Sequence, residues 1–357
     1  MALVHADNFS IYGTNTALML NGVYASVNQV SLATDPDGLS PGNVVHIDSN
    51  NPGGVRFIMP SAQTTVGVAA RIWAPNLNFA FNVRPAIAYR DSGGSTTTVL
   101  DFDTTGRIRL RSNAGTIATS TNPVITANGW YHIEAKIVCG AGATDSYEVR
   151  VEGITVMSVS AVNLQIDSVY QVEVGNPNFS GNDGSATDVY WKDLVIWDGT
   201  GTYNNDFLGS VLVTNLMPTS DISLNWTPST GTVGWSILDN IPPVDTTYLS
   251  APYNAGGPPF FPNPYVATLS DLPITATSVK GVITFVRAAK SDGGDGNLQV
   301  GIISDPAGTP TTALGADRPI TVAQTYWRDV FEVDPDTAAP WLPAAVNAAQ
   351  IQLNRTV

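Results

Sequence analysis

The chain has 357 residues and a formal net charge of −14, yet only 13% of its residues are charged. The acidity is even, with −7 on each side of residue 200, so no segment has the basic footprint of a nucleic-acid-binding protein. No apolar run is long enough for a membrane span, and the first ten residues lack the features of a secretory signal. We therefore expect no nucleic-acid partner, no membrane insertion and synthesis in a cytosol.

Strand patterns recur through the first two hundred residues, and turn-forming residues separate them. The predicted strands are 44–47, 55–59, 64–74, 81–90, 97–103, 107–111, 130–139, 147–153, 154–160, 170–175 and 188–199. In one of them Tyr147, Val149 and Val151 alternate with charged residues, which is the two-residue period of a half-buried strand. Because no helical pattern separates these strands, we predict two antiparallel sheets packed as a sandwich.

Beyond residue 200 the chain becomes dense in proline and glycine, which indicates ordered loops around fewer strands. The predicted strands here are 279–290, 297–303, 325–333 and 348–356. We therefore predict an all-β chain with one sandwich domain over residues 1–200 and a second, smaller β-rich domain over residues 201–357. The lone Cys139 lies in an apolar run, so we expect a buried thiol and no disulfide.

Four segments of the first domain carry a resemblance to a known fold. They are GWYHIEAKI (129–137), SYEVRVEGITV (146–156), VYQVEVGN (169–176) and TDVYWKDLVIWDG (187–199). Together they resemble the laminin-G or concanavalin-A-like jelly roll, over about residues 1–200. This resemblance implies an antiparallel jelly-roll β-sandwich, a fold that hosts lectins, hydrolases and scaffolds alike.

The second half carries a further resemblance. The segments NNDFLG (204–209), NWTPSTGT (225–232), DNIPPVDTTYLSA (239–251) and VKGVITFVRAAK (279–290) resemble tail-fibre and other virion surface proteins of tailed bacteriophages. This implies a non-enzymatic structural component of the virion, a tail-associated fibre or adaptor that assembles with other virion proteins through its loops. It also implies a homo-oligomer, with a trimer as one form. Two alternatives stay open: a head-decoration protein, or a carbohydrate-binding module that recognises a host-surface glycan.

The residues offer no catalytic constellation, which favours a protein that is not an enzyme. The paired carboxylates of a retaining glycosidase would need a run such as E-x-D-x-x-E, which is absent. Glu148 and Glu152 flank Arg150 on one strand face, a pattern typical of a solvated charge ladder. The histidines are far apart, and no GxSxG nucleophile elbow accompanies them.

Aromatic residues in the loops of the second half are the candidate binding residues. Their rings suit either a sugar face or a neighbouring subunit. These candidates for contacts with a carbohydrate or a partner are Trp226, Trp235, Tyr253, Phe260, Phe261 and Tyr265.

The only cofactor that the sequence suggests is calcium. The turn FSGNDGSATD (179–188) combines carboxylates with glycines, and clustered hard oxygens are the ligands that Ca²⁺ prefers. Asp183 and Asp188 are the better candidates, and the turn KSDGGDGN (290–297) is a weaker one. Of the two interpretations, an ordinary hairpin loop with no metal is the favoured one.

Overall fold

The computed structural model describes residues 2–38, 42–48, 53–77, 86–140, 142–175, 188–251, 263–291 and 295–356. The chain divides into two compact units, Met1–Val213 and Thr214–Val357, here called the N-terminal and C-terminal units. Val213 belongs to the first unit because its N–H donates to Asp193 and its carbonyl accepts from Asn8. No described helix is long and apolar enough to span a lipid bilayer.

The described part of the N-terminal unit consists of strands and two short 3-10 turns, Ser10–Tyr12 and Thr16–Leu20. Its strands are β1 (Leu3–Asp7), β2 (Ser26–Asn28), β3 (Val30–Thr34), β4 (Asn43–Ile47), β5 (Gly54–Gln63), β6 (Thr65–Trp73), β7 (Ala86–Arg90), β8 (Thr96–Phe102), β9 (Ile108–Ser112), β10 (Gly115–Thr119), β11 (Tyr131–Val138), β12 (Asp145–Val151), β13 (Ile154–Val162), β14 (Val169–Gly175) and β15 (Val189–Asp198).

These strands form two antiparallel sheets. The eight-stranded sheet has the order β13-β12-β11-β6-β15-β4-β3, and β1 pairs with β15 beside this path. The seven-stranded sheet has the order β10-β9-β8-β7-β14-β5-β2. Strands that are distant in sequence are neighbours in both sheets, as in a jelly roll, so side chains from several segments come together on each face.

Contacts between the sheets show which side chains point inward. Tyr89 of β7 and Tyr147 of β12 are buried between them, with their hydroxyl oxygens 3.2 Å apart and their rings edge to face. Burial raises the pKa of both phenols, so both stay neutral. Because side chains alternate along a strand, Ala88 and Arg90 of β7 lie on the outer face of the seven-stranded sheet.

The described part of the C-terminal unit has smaller sheets and two short helices. The order of its six-stranded sheet is β16-β19-β25-β21-β22, with β23 beside β21, and β17–β18 and β20–β24 form separate pairs. The elements are β16 (Pro218–Ser223), β17 (Thr227–Pro228), α1 (Trp235–Leu238), β18 (Leu249–Ser250), β19 (Tyr265–Leu269), β20 (Val282–Ala288), β21 (Asn297–Ser304), β22 (Thr311–Leu314), β23 (Arg318–Pro319), β24 (Thr325–Phe331), α2 (Pro343–Ala348) and β25 (Gln350–Arg355).

The prediction of an all-β chain with an antiparallel sandwich is confirmed. Most predicted strands overlap observed ones, and Cys139 is buried. The strands that the sequence pattern missed are mostly short and lie at sheet edges, such as β10 and β2. Small polar residues dominate these segments, so their strand conformation depends on pairing with a neighbour rather than on their own pattern.

Candidate functional site

The aromatic residues singled out from the sequence do not form one site in the described structure. Trp226 and Tyr265 are 8% and 0% exposed and belong to the core of the C-terminal unit, with Leu298, Val300 and Leu353. Trp235 is half-buried at the start of α1. The other three, Tyr253, Phe260 and Phe261, lie outside the described residues.

The burial of Trp226 and Tyr265 has a local cause. Tyr265 is the first residue of β19 rather than part of the proline-rich loop, and its hydroxyl donates to Asp221 Oδ1 at 2.8 Å. Asp221 also accepts the backbone N–H groups of Gly234 and Trp235, at 2.7 and 2.8 Å. The Asp221 carboxylate of β16 thus joins the start of α1 and the Tyr265 hydroxyl by hydrogen bonds. This arrangement keeps the rings buried.

Only one of the two predicted calcium ligands lies among the described residues. Asp188 lies 3.6 Å from His46 Nε2, measured from Oδ2, while Asp183 lies outside the described residues. Among the residues that are described, no group of three His, Cys, Asp or Glu side chains could hold a metal ion. Calcium at Asp183 and Asp188 therefore stays a prediction.

The two glutamates weighed as a catalytic pair have separate structural partners. Glu148 accepts from Arg150 Nε at 2.8 Å and from the hydroxyl of Thr155 at 3.0 Å. Glu152 accepts the backbone N–H of His132 at 2.6 Å. Their positions are those of a charge ladder and a turn, as the alternating pattern indicated.

The outer face of the seven-stranded sheet carries a group of charged side chains on β5, β14 and β7. Glu173 of β14 accepts from Arg56 Nε at 3.2 Å and from Arg90 Nε at 2.8 Å. Arg90 also donates to the carbonyl oxygen of Gly94 at 2.8 Å. Glu173 is 6% exposed, so it is a buried anchor that holds two guanidinium groups in fixed positions.

A second group repeats this arrangement two strands away. Asp101 of β8 accepts from Nε and Nη2 of Arg109, both at 2.8 Å, and from Nη1 of Arg111 at 3.2 Å. Asp101 is 3% exposed, while 18% and 23% of the two arginine side chains remain exposed. The two groups occupy five consecutive strands, which span about 19 Å at ~4.8 Å per strand.

This surface, which we call the arginine face, has an excess of positive charge in an acidic protein. Four guanidinium groups, from Arg56, Arg90, Arg109 and Arg111, stand against two carboxylates. Among the described contacts, Arg56 donates only through Nε, and 30% of its side chain is exposed. Its two terminal nitrogens have no hydrogen-bond partner among the described residues, and such a planar pair of donors matches the geometry of a carboxylate. The register of five strands assembles this face, which is why sequence reasoning missed it.

An unsatisfied acceptor lies on the same face. Gln171 of β14 precedes Glu173 by two residues and pairs across the sheet with Arg90. Its Oε1 is buried and has no hydrogen-bond partner among the described residues. A buried carbonyl oxygen without a partner is costly, and a ligand hydroxyl would reach this one only after the Gln171 side chain moves.

The outer face of the eight-stranded sheet is covered instead by the chain itself. Residues 206–213, here called the strap, cross it without forming a strand. Leu208 and Gly209 donate their N–H groups to Glu134 Oε1 at 2.7 and 3.1 Å, and Val213 donates to Asp193 at 3.1 Å. Arg150 and Lys136 stack on the ring of Phe207. The strap thus supplies hydrogen-bond donors to the buried carboxylates at the centre of this face.

Two groups beneath the strap have shifted pKa values. Burial, helped by the charge of Arg71, lowers the pKa of His132 to about 4, so this imidazole is neutral at pH 7. Burial raises the pKa of Asp193 to about 6, although Val213 N–H, Arg71 and Lys192 oppose the shift. Both side chains are at most 2% exposed, and His132 Nδ1 has no hydrogen-bond partner among the described residues. They hold the strap rather than face solvent.

No protein-family model matches the sequence, and no curated protein matches it. Solved structures do show similarity. Alginate lyase vAL-1 from Chlorella virus has 13% identity and a TM-score of 0.41, covering 55% of this chain and 99% of the lyase. An endo-β-1,4-glucuronan lyase from the fungus Trichoderma reesei has 14% identity and a TM-score of 0.36, covering 55% and 95%. The cellulose-induced protein Cip1 has 17% identity and a TM-score of 0.37, covering 54% and 96%.

This finding corrects two predictions. The three neighbours named above are two polysaccharide lyases and a cellulose-induced protein, which contradicts the predicted role as a non-enzymatic tail or capsid component of a phage. The prediction that the chain is not an enzyme is contradicted as well, since two of these three neighbours are enzymes. The jelly-roll part of the resemblance is confirmed, and none of the three is described as a bacteriophage protein.

Proposed function

We propose that the N-terminal unit binds an acidic polysaccharide on the arginine face. The observation that carries this proposal is the pair of arginine groups, each fixed by one buried carboxylate and each with arginine side chains that stay partly exposed. Arginine forks bind carboxylates in two-point contacts, and a chain of uronic acids presents a carboxylate on every ring. The excess positive charge on this face is what a repeating polyanion requires.

Three features of the face support a saccharide rather than a simple anion. The two arginine groups are separated by two strand spacings, so a single small anion does not engage both of them. Gln171 is half-buried on the same face, and its side-chain amide suits a hydroxyl group, which a sugar supplies and a simple inorganic ion lacks. Glu173 and Asp101 hold the guanidinium groups in place before binding, which reduces the entropy lost when a flexible chain docks.

The test is calorimetric titration of the full chain with two hexasaccharides, a β-1,4-glucuronan hexamer and cellohexaose. The two ligands differ only in oxidation of the C6 carbon, so their comparison isolates the carboxylate. Arg56→Gln keeps most of the side-chain volume and removes the exposed guanidinium. We expect it to weaken glucuronan binding about tenfold, the equivalent of one charged hydrogen-bond pair, and to leave cellohexaose binding unchanged.

The matched control is Arg355→Gln. Arg355 is the last residue of β25 in the C-terminal unit, so its side chain is not part of the arginine face. Its loss changes the net charge equally, so we expect glucuronan affinity to change by about twofold or less. An equal loss of glucuronan affinity in both variants would show that the effect comes from net charge alone, and it would contradict the proposal. Absence of measurable glucuronan binding to the wild-type chain would contradict it as well.

A further inference from the structure

Three aromatic side chains form a row on the outer face of the eight-stranded sheet. Trp73 of β6 pairs across the sheet with Tyr190 of β15, and Tyr190 pairs with His46 of β4. The rings of His46 and Tyr190 stack with centroids 4.6 Å apart, and Trp73 meets Tyr190 edge to face at 5.2 Å. All three side chains are half-buried. We call this row the aromatic platform.

The platform lies at the end of the region that the strap covers. The strap's hydrogen bonds reach Arg71 on β6, through the hydroxyl of Ser210, and Trp73 is the next outward residue on that strand. Outer faces of sheets normally carry polar side chains, so three adjacent aromatic rings on such a face indicate a surface that binds something. Core packing does not account for them, because the inward positions of these strands are filled by other residues, such as Ile72 and Val45.

The rim of the platform is polar and carries negative charge. Ser31 of β3 is exposed, and its hydroxyl lies 3.0 Å from His46 Nδ1. The Asp188 side chain, 40% exposed, lies 3.6 Å from the other ring nitrogen of His46. Burial and the neighbouring carboxylate of Asp188 raise the pKa of Tyr190, so its phenol stays a neutral hydrogen-bonding group. Hydroxyl and carboxylate groups around aromatic rings suit a ligand with many hydroxyl groups and no negative charge.

From this arrangement we infer a second carbohydrate site, in which the aromatic platform stacks on one neutral hexopyranose ring while Ser31 and Asp188 hydrogen-bond its hydroxyl groups. The apolar C–H face of the pyranose covers the exposed ring surface of Trp73. The Asp188 carboxylate disfavours a uronic acid at this position, whereas the arginine face favours one. The two faces of the N-terminal unit would therefore select sugars of different charge, and neither site depends on the other.

The test uses the full chain labelled with 5-fluorotryptophan, in which eight tryptophans report by fluorine NMR. Trp73→Phe assigns the Trp73 resonance. Titration with cellohexaose should shift that resonance in the otherwise wild-type chain, and the glucuronan hexamer should leave it in place. Because the titration uses the wild-type chain and the assignment needs only the conservative variant Trp73→Phe, the measurement remains decisive even if Trp73→Ala fails to fold.

Affinity measurements complete the test. We expect Trp73→Ala to weaken cellohexaose binding at least tenfold and to leave glucuronan binding within twofold, the reverse of the pattern for Arg56→Gln. The control is Trp327→Ala, which removes a half-buried tryptophan of β24 in the C-terminal unit and should change neither affinity. Loss of cellohexaose binding in Trp327→Ala but not in Trp73→Ala would overturn the proposal, as would an unshifted Trp73 resonance at saturating cellohexaose.

Discussion

The two outer faces of the N-terminal sandwich differ in the groups that pair with their buried carboxylates. On the arginine face, Glu173 and Asp101 are neutralised by arginines whose outer surfaces remain exposed. On the face beneath the strap, Glu134 and Asp193 accept backbone N–H groups from the chain itself. The comparison teaches that similar carboxylates on similar strands serve either to present donors to a ligand or to bind a covering segment. Only the first arrangement leaves arginine side chains partly exposed to a partner.

The largest expected effect is the loss of the carboxylate that holds the strap. Glu134→Ala removes a buried acceptor and leaves the N–H groups of Leu208 and Gly209 without it. We expect the free energy of unfolding to fall by about 4 kcal/mol, measured by urea denaturation. Glu148→Ala, on the same face but half-exposed, should cost about 1 kcal/mol or less. Equal losses in the two variants would show that the strap does not depend on Glu134.

A packing change at the same face should have the next largest effect. A Cβ atom on Gly67 would lie 1.9 Å from the Trp197 ring, which is fully buried against this glycine. We expect Gly67→Ala to lower the free energy of unfolding by about 3 kcal/mol through overpacking. Ala69→Gly, the next outward position on β6, should cost only about 1 kcal/mol, the usual cost of glycine in a strand. Thermal unfolding of the two variants in parallel checks the difference.

The pKa of His132 predicts how stability changes in mild acid. Its folded-state pKa of about 4 lies below the unfolded value of 6.5, so the unfolded chain binds the proton first as the pH falls. As the pH falls from 6.5 to 4, this proton uptake should lower the free energy of unfolding. The expected decrease is about 2 kcal/mol at pH 5 relative to pH 7. His132→Gln should remove that part of the pH dependence. A parallel pH profile in the variant would contradict the assignment.

Asp193 should change the free energy of unfolding with pH in the opposite direction to His132 and by a smaller amount. Its folded-state pKa of about 6 lies above the ordinary value of 3.8, so its contribution to stability is present below pH 3.8 and is lost as the pH rises through 6. Asp193→Asn keeps an acceptor for Val213 N–H and tolerates the positive φ of 53° at this position. We expect it to stabilise the chain by about 1 kcal/mol at pH 7 and to be neutral at pH 3.5.

The smallest expected effect on stability comes from the arginine face. Arg56→Gln leaves Glu173 paired with Arg90, so the free energy of unfolding should change by about 0.5 kcal/mol or less. The same variant is the one expected to weaken glucuronan binding. Denaturation and calorimetry on one preparation therefore separate the ligand-binding role of this face from a structural one. A large loss of stability would assign Arg56 to the scaffold instead.

Much of the fold follows from local patterns. The alternation in β12 and the long β-branched segments of β6 and β15 predicted strands because each segment carries its own hydrophobic period. The candidate site did not follow in the same way. Arg109 and Arg111 are visible as an alternating pair in the sequence, but Arg56 and Arg90 join that surface only through the pairing of β5, β14 and β7. No local signal encodes that pairing.

Composition and short-range periodicity by themselves determined the all-β class, the antiparallel sandwich and the burial of Cys139, because these properties depend on each segment's own side chains. Tertiary structure decided which charged residues meet, that the strap covers one outer face, and that Trp226 and Tyr265 lie in a core. Those outcomes depend on strand order and register, which bring residues more than a hundred positions apart into contact, and a one-residue shift of register would reverse the face each side chain occupies.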